Sequence, residues 1–352
     1  MTPRELVEAA LIAEGVILFL SLLILFGHAG IAHRRERRWE LPMEKGRRAL
    51  LEVVRTGRLT KPDEQLLRGL PVRLQVRLFT ELVPSISGQS REHLARLARD
   101  IGLIPVAERM ARAKDWRDRL HGVRLLAAVG GGASIVPPLL DDPSPAVRAE
   151  AVEWAALHPT PDLIDRLVKL LPRTDRYGSF VVRDSLLRVG ADVVPPLARY
   201  LEKHNGRNAE PALDVAAGVP DVRFTSAAIR LCRDPLPHVR ARAAALAGAV
   251  GSEEAVGVLQ LLVHDEEAEV RAAAAAALGR LGHWPSATVI APLLRDPAWI
   301  VRSQSALALR SLGSPGHLYL RKGLADEDAF AADIARQVLD LPESSAERER
   351  WT

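Results

Sequence analysis

DPLPHVRARAAALAGAVGSEEAVGVLQLLVHDEEAEVRAAAAAALGRLG, residues 234–282, contains one motif twice, and the motif returns as DPAWIVRSQSALALRSLG from Asp296 to Gly313. Its period is 31 residues, held in six columns together. Asp234, Asp265 and Asp296 are in phase, as are Val239, Val270 and Val301, and then Arg240, Arg271 and Arg302. Ala244, Ala275 and Ala306 make a fourth column, Gly251, Gly282 and Gly313 a fifth, and Leu231, Leu262, Leu293 and Leu324 a sixth. Chance could supply one such column but hardly six, so this is a repeat whose units bury their apolar faces against one another.

Within a unit the pattern is that of two helices. Val270, Ala274, Ala277, Leu278 and Leu281 fall at i, i+4, i+7, i+8 and i+11, one face of a helix. Gly282, like Gly251 and Gly313, is expected to end that helix in the left-handed conformation. A shorter helix such as AVGVLQLL follows before His264. Composition agrees with an all-α chain: 48% of residues are hydrophobic but only 4% aromatic, so the apolar fraction is mostly Ala, Leu and Val. A length of 352 residues exceeds one compact core, but a stack of hairpins escapes that limit.

These stretches, each an acid, then Val-Arg, then an Ala-rich helix closing on Gly, resemble the HEAT family in its short, phycobilisome-lyase-type form. DDPSPAVRAEAVEWAAL from Asp141 matches well and WRDRLHGVRLLAAVG from Trp116 partly, while the helices near Val181 and Leu213 match only in size and spacing. GASIVPPLL from Gly132 and GADVVPPLA from Gly190 look like second helices of such units. The resemblance implies a right-handed α-solenoid. It further implies that Asp142, Asp234, Asp265 and Asp296 act as helix caps and ladder acids, with Arg148, Arg240, Arg271 and Arg302 as their partners. One period beyond Arg302 stands Asp333, where a polar capping helix is expected.

Upstream, Gly15 to Ala32 (GVILFLSLLILFGHAGIA) is a run of eighteen residues without a charged side chain, long enough to cross a hydrocarbon core. HRRERR follows at once, while residues 1–32 carry a net −2, so the segment reads as an uncleaved anchor with its N-terminus outside. Glu14, Ser21 and His28, seven residues apart, share one side of that helix as a polar stripe suited to a protein neighbour. Arg34, Arg35, Arg37, Arg38, Lys45, Arg47 and Arg48 are expected to meet anionic lipid, with Trp39 at the interface. Arginine far outnumbers lysine, and Ala, Gly, Pro and Arg share G/C-rich codons, which suits a high-GC bacterium and hence its inner membrane. The expected plan is an outer tail (1–8), a transmembrane helix (9–32), a basic linker (33–48) and an irregular helical part (49–114). About seven HEAT-like repeats (115–325), a capping helix (326–342) and a flexible tail (343–352) follow.

No phosphate loop, dinucleotide fingerprint, nucleophile-elbow serine or paired-His zinc motif is found, and the ten histidines lack ligand spacing. Cys232, the single cysteine, shares its column with Val263 and Leu294 and reads as core; no disulfide is possible within the chain. Gly130-Gly131-Gly132 reads as a turn, and Asp326 and Asp328 as helix-capping residues. No catalytic residue, metal or cofactor is expected. The expectation is a non-catalytic scaffold or adaptor that binds protein partners, as a subunit of an inner-membrane complex; an envelope-polysaccharide glycosyltransferase system is one class to test. Two alternatives stand beside it. Residues 68–124 hold twelve Lys or Arg against six acids, which would suit a nucleic-acid-binding solenoid, although only Phe79 and Trp116 could stack on bases. Short repeats of this type also occur in lyase enzymes.

Overall fold

A computed structural model describes residues 40–82, 88–173 and 176–342, and among them every regular element is helical. They belong to two compact units that part between Ile135 and Val136. No helix among the described residues is long and apolar enough to cross a membrane. The run Gly15–Ala32, the tail before it and the residues after 342 lie outside the described residues.

The first unit begins with α1 over 40–56, then α2 (Lys61–Gly69), α3 (Val72–Leu82), α4 (Gln89–Asp100), α5 (Leu103–Ala111) and α6 (Trp116–Val129). Helix α1 takes in 40–48, which the sequence reading had given to a linker. The reason is a stripe at i, i+3, i+4 and i+7, Gly46, Ala49, Leu50 and Val53, all buried. A Cβ on Gly46 would stand 2.8 Å from Leu78 Cδ1 and 3.3 Å from Leu70 Cδ1, so this face meets α3 and the end of α2 at close range. The carbonyls at the end of α2 are satisfied from outside the helix: the buried Gln75 amide donates to Leu67 O at 2.8 Å and Leu70 O at 3.0 Å. Three consecutive positive φ angles, 86°, 93° and 80° at Gly130, Gly131 and Gly132, turn the chain after α6, a path closed to residues with a Cβ.

The second unit is a stack of helical hairpins. Its first helices are α7 (Pro145–Leu157), α9 (Arg176–Val189), α11 (Gly206–Gly218), α13 (Pro237–Val250), α15 (Ala268–Leu281), α17 (Trp299–Ser311) and the last, α19 (Ala329–Asp340). The second helices are α8 (Pro161–Leu170), α10 (Val194–Lys203), α12 (Thr225–Leu231), α14 (Val256–Leu262), α16 (Ala287–Ile290) and α18 (Ser314–Gly323). Each first helix packs on the next, α7 on α9 through α17 on α19, while α8, α10 and α12 adjoin in a second layer. Alanine and glycine set the spacing of the first layer. A Cβ on Gly248 would lie 2.7 Å from Ala277 Cα, and one on Gly279 2.7 Å from Ala308 Cα. Val239, Val270 and Val301 are fully buried in this layer, as are Ala244, Ala275 and Ala306.

Three local features depart from the sequence reading. Gly251 (φ 76°, ψ 21°) and Gly282 (φ 66°, ψ 17°) end their helices left-handed, but Gly313 (φ 70°, ψ −144°) is instead the N-cap of α18, because α17 already stops at Ser311. The VPPLL segment forms only a 3-10 turn, Pro137–Asp141: two prolines lacking N–H start it and Asp142-Pro143 stops it within about a turn. The last repeat is one residue short. Asp326, not the residue 31 after Asp296, repeats its turn geometry, so the position of Arg302 passes to Ala332, not Asp333, and Leu324 leaves its column to stand 40% exposed.

Candidate protein-binding surface

The repeated Asp and Arg meet across repeats, 25 residues apart. Arg240 Nε and Nη2 each donate at 2.8 Å to the Asp265 carboxylate, and Arg271 donates to Asp296 at 2.7 and 2.9 Å. The remaining Nη1 of each arginine turns back to its own loop, Arg271 reaching Asp265 O and Glu266 O at 2.9 Å each. The acids are not N-caps. Each stands two residues earlier and bends the chain into the helix, Asp265 Oδ1 accepting from Glu267 N at 3.0 Å and Asp296 Oδ1 from Ala298 N at 2.9 Å. Burial pushes the Asp265 and Asp296 carboxyls up, but the arginine hydrogen bonds outweigh it and hold both below the ordinary value; the same bonds raise Arg240 and Arg271.

Elsewhere the ladder changes partners. Asp234 Oδ2 accepts from the backbone N–H of Gly206 at 2.8 Å, where α11 offers no arginine. Arg302 lies over the Phe330 ring at 5.0 Å. Asp142 Oδ1 accepts from Ser144 N at 2.8 Å, and Arg148 holds Asp142 O at 2.8 Å. Twenty-five residues beyond Arg148, where an acid would complete a rung, stands Arg173.

Arg173 belongs to the edge of a cleft between α8 and α10, of about 580 Å³. Val168, Pro172, Pro196 and the Tyr200 ring give it an apolar floor, and Lys169, Arg173, Arg199 and Lys203 give it charge. Arg199 is neutralised by Asp165, with Nη2 to Oδ1 at 2.9 Å. Lys169, Arg173 and Lys203 form no ion pair with a described residue. Tyr200 stacks on His204 with ring centroids 3.9 Å apart and donates to Asn208 O at 3.2 Å, while burial raises its phenol above the ordinary value. Chemically the cleft offers cations over an apolar base. No group of side chains fit to hold a metal ion occurs among the described residues.

The other residues singled out by sequence are dispersed. Glu14, Ser21, His28, Arg34, Arg35, Arg37 and Arg38 lie outside the described residues. Arg47 binds Glu81 at 3.0 Å and Arg48 binds Glu44 at 3.1 Å, while Lys45 is exposed on α1. In the basic stretch 68–124, Arg68 pairs with Glu64, Arg77 with Glu81, and Arg119 holds Ala113 O and Lys114 O. Phe79 there is fully buried, leaving Trp116 the one aromatic of the two with exposed surface. Cys232 is buried and its thiol is pushed up to about 12 by desolvation. Asp328 caps α19 through Phe330 N at 2.8 Å, and Asp326 takes Arg295 at 2.9 Å. Sequence reasoning missed the α8/α10 cleft; Lys169 and Lys203 stand in units where no column repeats, and the one available signal was their place in the last turn of consecutive second helices.

Paired helices, an aspartate–arginine ladder and two helical layers define a HEAT-type α-solenoid. Residues 256–340 match the family of HEAT repeats. Among solved structures, Kap121p bound to Nup53p is similar with a TM-score of 0.56 at 12% identity, over 78% of this chain and 37% of that one. The karyopherin Kap121p bound to the extreme C-terminus of the protein phosphatase Cdc14p gives 0.54 at 13%, over 82% and 41%. The Kap95:Nup1 complex gives 0.51 at 12%, over 87% and 50%. This likeness is one of fold, and the chain spans half or less of the length of these karyopherin chains. No curated protein matches the sequence.

Proposed function

We propose that the chain is a protein-binding scaffold tethered to a membrane, which holds its partner on the second-helix layer of its hairpins. The observation that carries the scaffold reading is the α8/α10 cleft, an apolar floor rimmed by cations that the fold itself leaves without acids. Solenoids present extended surfaces of this kind to other proteins. The similar karyopherin structures contain protein partners, Nup53p and Nup1 among them, which supports the same class of partner here. The tether rests on the run Gly15–Ala32 and the basic residues after it, and it would confine the search for a membrane-embedded partner, raising effective concentration.

The test is cross-linking of the full chain in its native membranes, followed by purification in detergent with and without nuclease. A membrane protein complex should be retained in both. Association that disappears with nuclease and falls steeply with salt would favour the nucleic-acid alternative and overturn the scaffold reading. A reporter fused after Thr352 that is active only when exported should stay inactive; activity would refute the proposed orientation.

A further inference from the structure

The α8/α10 cleft has a charge pattern that internal packing does not explain. Asp165 on α8 and Arg199 on α10 are 34 residues apart and bonded at 2.9 Å, which fixes the register of the two helices. One turn further along, the same spacing of 34 sets Lys169 against Lys203, like charge beside like charge, and both line the cleft together with Arg173. Lysines in the last turn of a helix do offset its dipole. That role needs no shared cavity, and an acid in either place would extend the Asp165–Arg199 pairing. Accumulated charge of one sign over an apolar floor works against folding and toward a ligand of opposite sign.

Resting on the scaffold reading, we infer that this cleft takes an acidic linear segment of the partner protein, its carboxylates meeting Lys169, Arg173 and Lys203 and its apolar side chains meeting Val168, Pro172 and Pro196. The volume, about 580 Å³, suits a few side chains of such a segment. A nucleic-acid strand fits less well, since stacking needs a free aromatic face and Tyr200, the cleft's phenol ring, is buried and already stacked on His204.

The experiment is selection of a random dodecapeptide display library on the full chain in detergent micelles. Enriched peptides should carry net negative charge. Their binding should fall at least tenfold with Lys169→Glu/Lys203→Glu and stay within twofold with Lys322→Glu, an exposed cation on α18. The single variant Lys169→Glu should lose binding while its thermal midpoint stays level or rises, because the new acid pairs with Lys203; a misfolded cleft could not give that combination. Enrichment of neutral or basic peptides, no enrichment, or acidic peptides indifferent to the double reversal would overturn the inference, as would heparin competing with the peptides equally well in the wild type and in the double variant. Failure of the scaffold reading would show separately, as the absence of any nuclease-resistant protein partner in the cross-linking experiment.

Discussion

Replacing Arg271 by alanine should loosen the solenoid at one defined rung. The Arg271 and Asp296 side chains keep only 14% and 6% of their surface exposed, and the guanidinium makes two bonds to the carboxylate and two to loop carbonyls. Its loss leaves the buried Asp296 charge with the Ala298 N–H, a class of change costing about 3–5 kcal/mol. Because neighbouring repeats supply each other's buried surface, the loss should appear in α15 and α17 first. Hydrogen exchange read by mass spectrometry should show amides of those helices exchanging between about a hundredfold and several thousandfold faster, at about 1.4 kcal/mol per tenfold. Arg295→Ala is the control, since its pair with Asp326 has the arginine 61% exposed and an exposed pair contributes only about 0–1 kcal/mol. The pH dependence has a fixed sign. Asp296 is held below its ordinary value of 3.8, so Arg271 contributes fully above that pH, and the gap between variant and wild type should narrow as pH falls below about 4. Adding Asp296→Asn to an Arg271→Met variant keeps the turn acceptor but removes the buried charge, and should recover much of the lost protection. Unchanged exchange in Arg271→Ala, or a double variant worse than the single, would refute the ladder as a stabilising device.

Val270→Asp should unfold its own repeat and the two beside it, costing several kcal/mol because Val270 is fully buried between first helices; a thermal scan by circular dichroism that retained the wild-type midpoint would count against the register. Gly316→Ala ought to destabilise by about 1–3 kcal/mol although alanine is the better helix former, since its Cβ would fall 1.7 Å from the Leu309 carbonyl oxygen; a raised denaturant midpoint would contradict that close approach of α17 and α18. Cys232, with its thiol pushed up to about 12 and its side chain buried, should resist alkylation at pH 8 until the chain is denatured, and rapid labelling of the native protein would show that the α12 region opens.

The ladder and the cleft use the same residue types to opposite ends. Where Arg240 and Arg271 find an aspartate 25 residues on, charge is consumed in holding repeats together. Where Arg173 replaces that aspartate, and Lys203 follows Lys169 at the next level, charge remains for a partner. Stability therefore concentrates toward α13–α17 and recognition toward α8–α10.

Sequence alone determined the hairpin repeat from Asp234 onward, the buried positions Val270, Ala274, Ala277 and Leu278, and the core location of Cys232. Those follow from local periodicity: a helix fixes which side chains share a face, and a repeat fixes which faces stack. Only the tertiary structure decided which aspartate each arginine holds, that α1 starts at residue 40, that the last repeat is one residue short, and that Lys169 and Lys203 face one cleft. Each of these depends on the offset between neighbouring helices, 25 residues along the ladder and 34 between α8 and α10, and on loops of unequal length. Where the repeat is strict, that offset is the same at every rung and shows in the columns; where loop lengths vary, no column forms, and packing alone brings the side chains together.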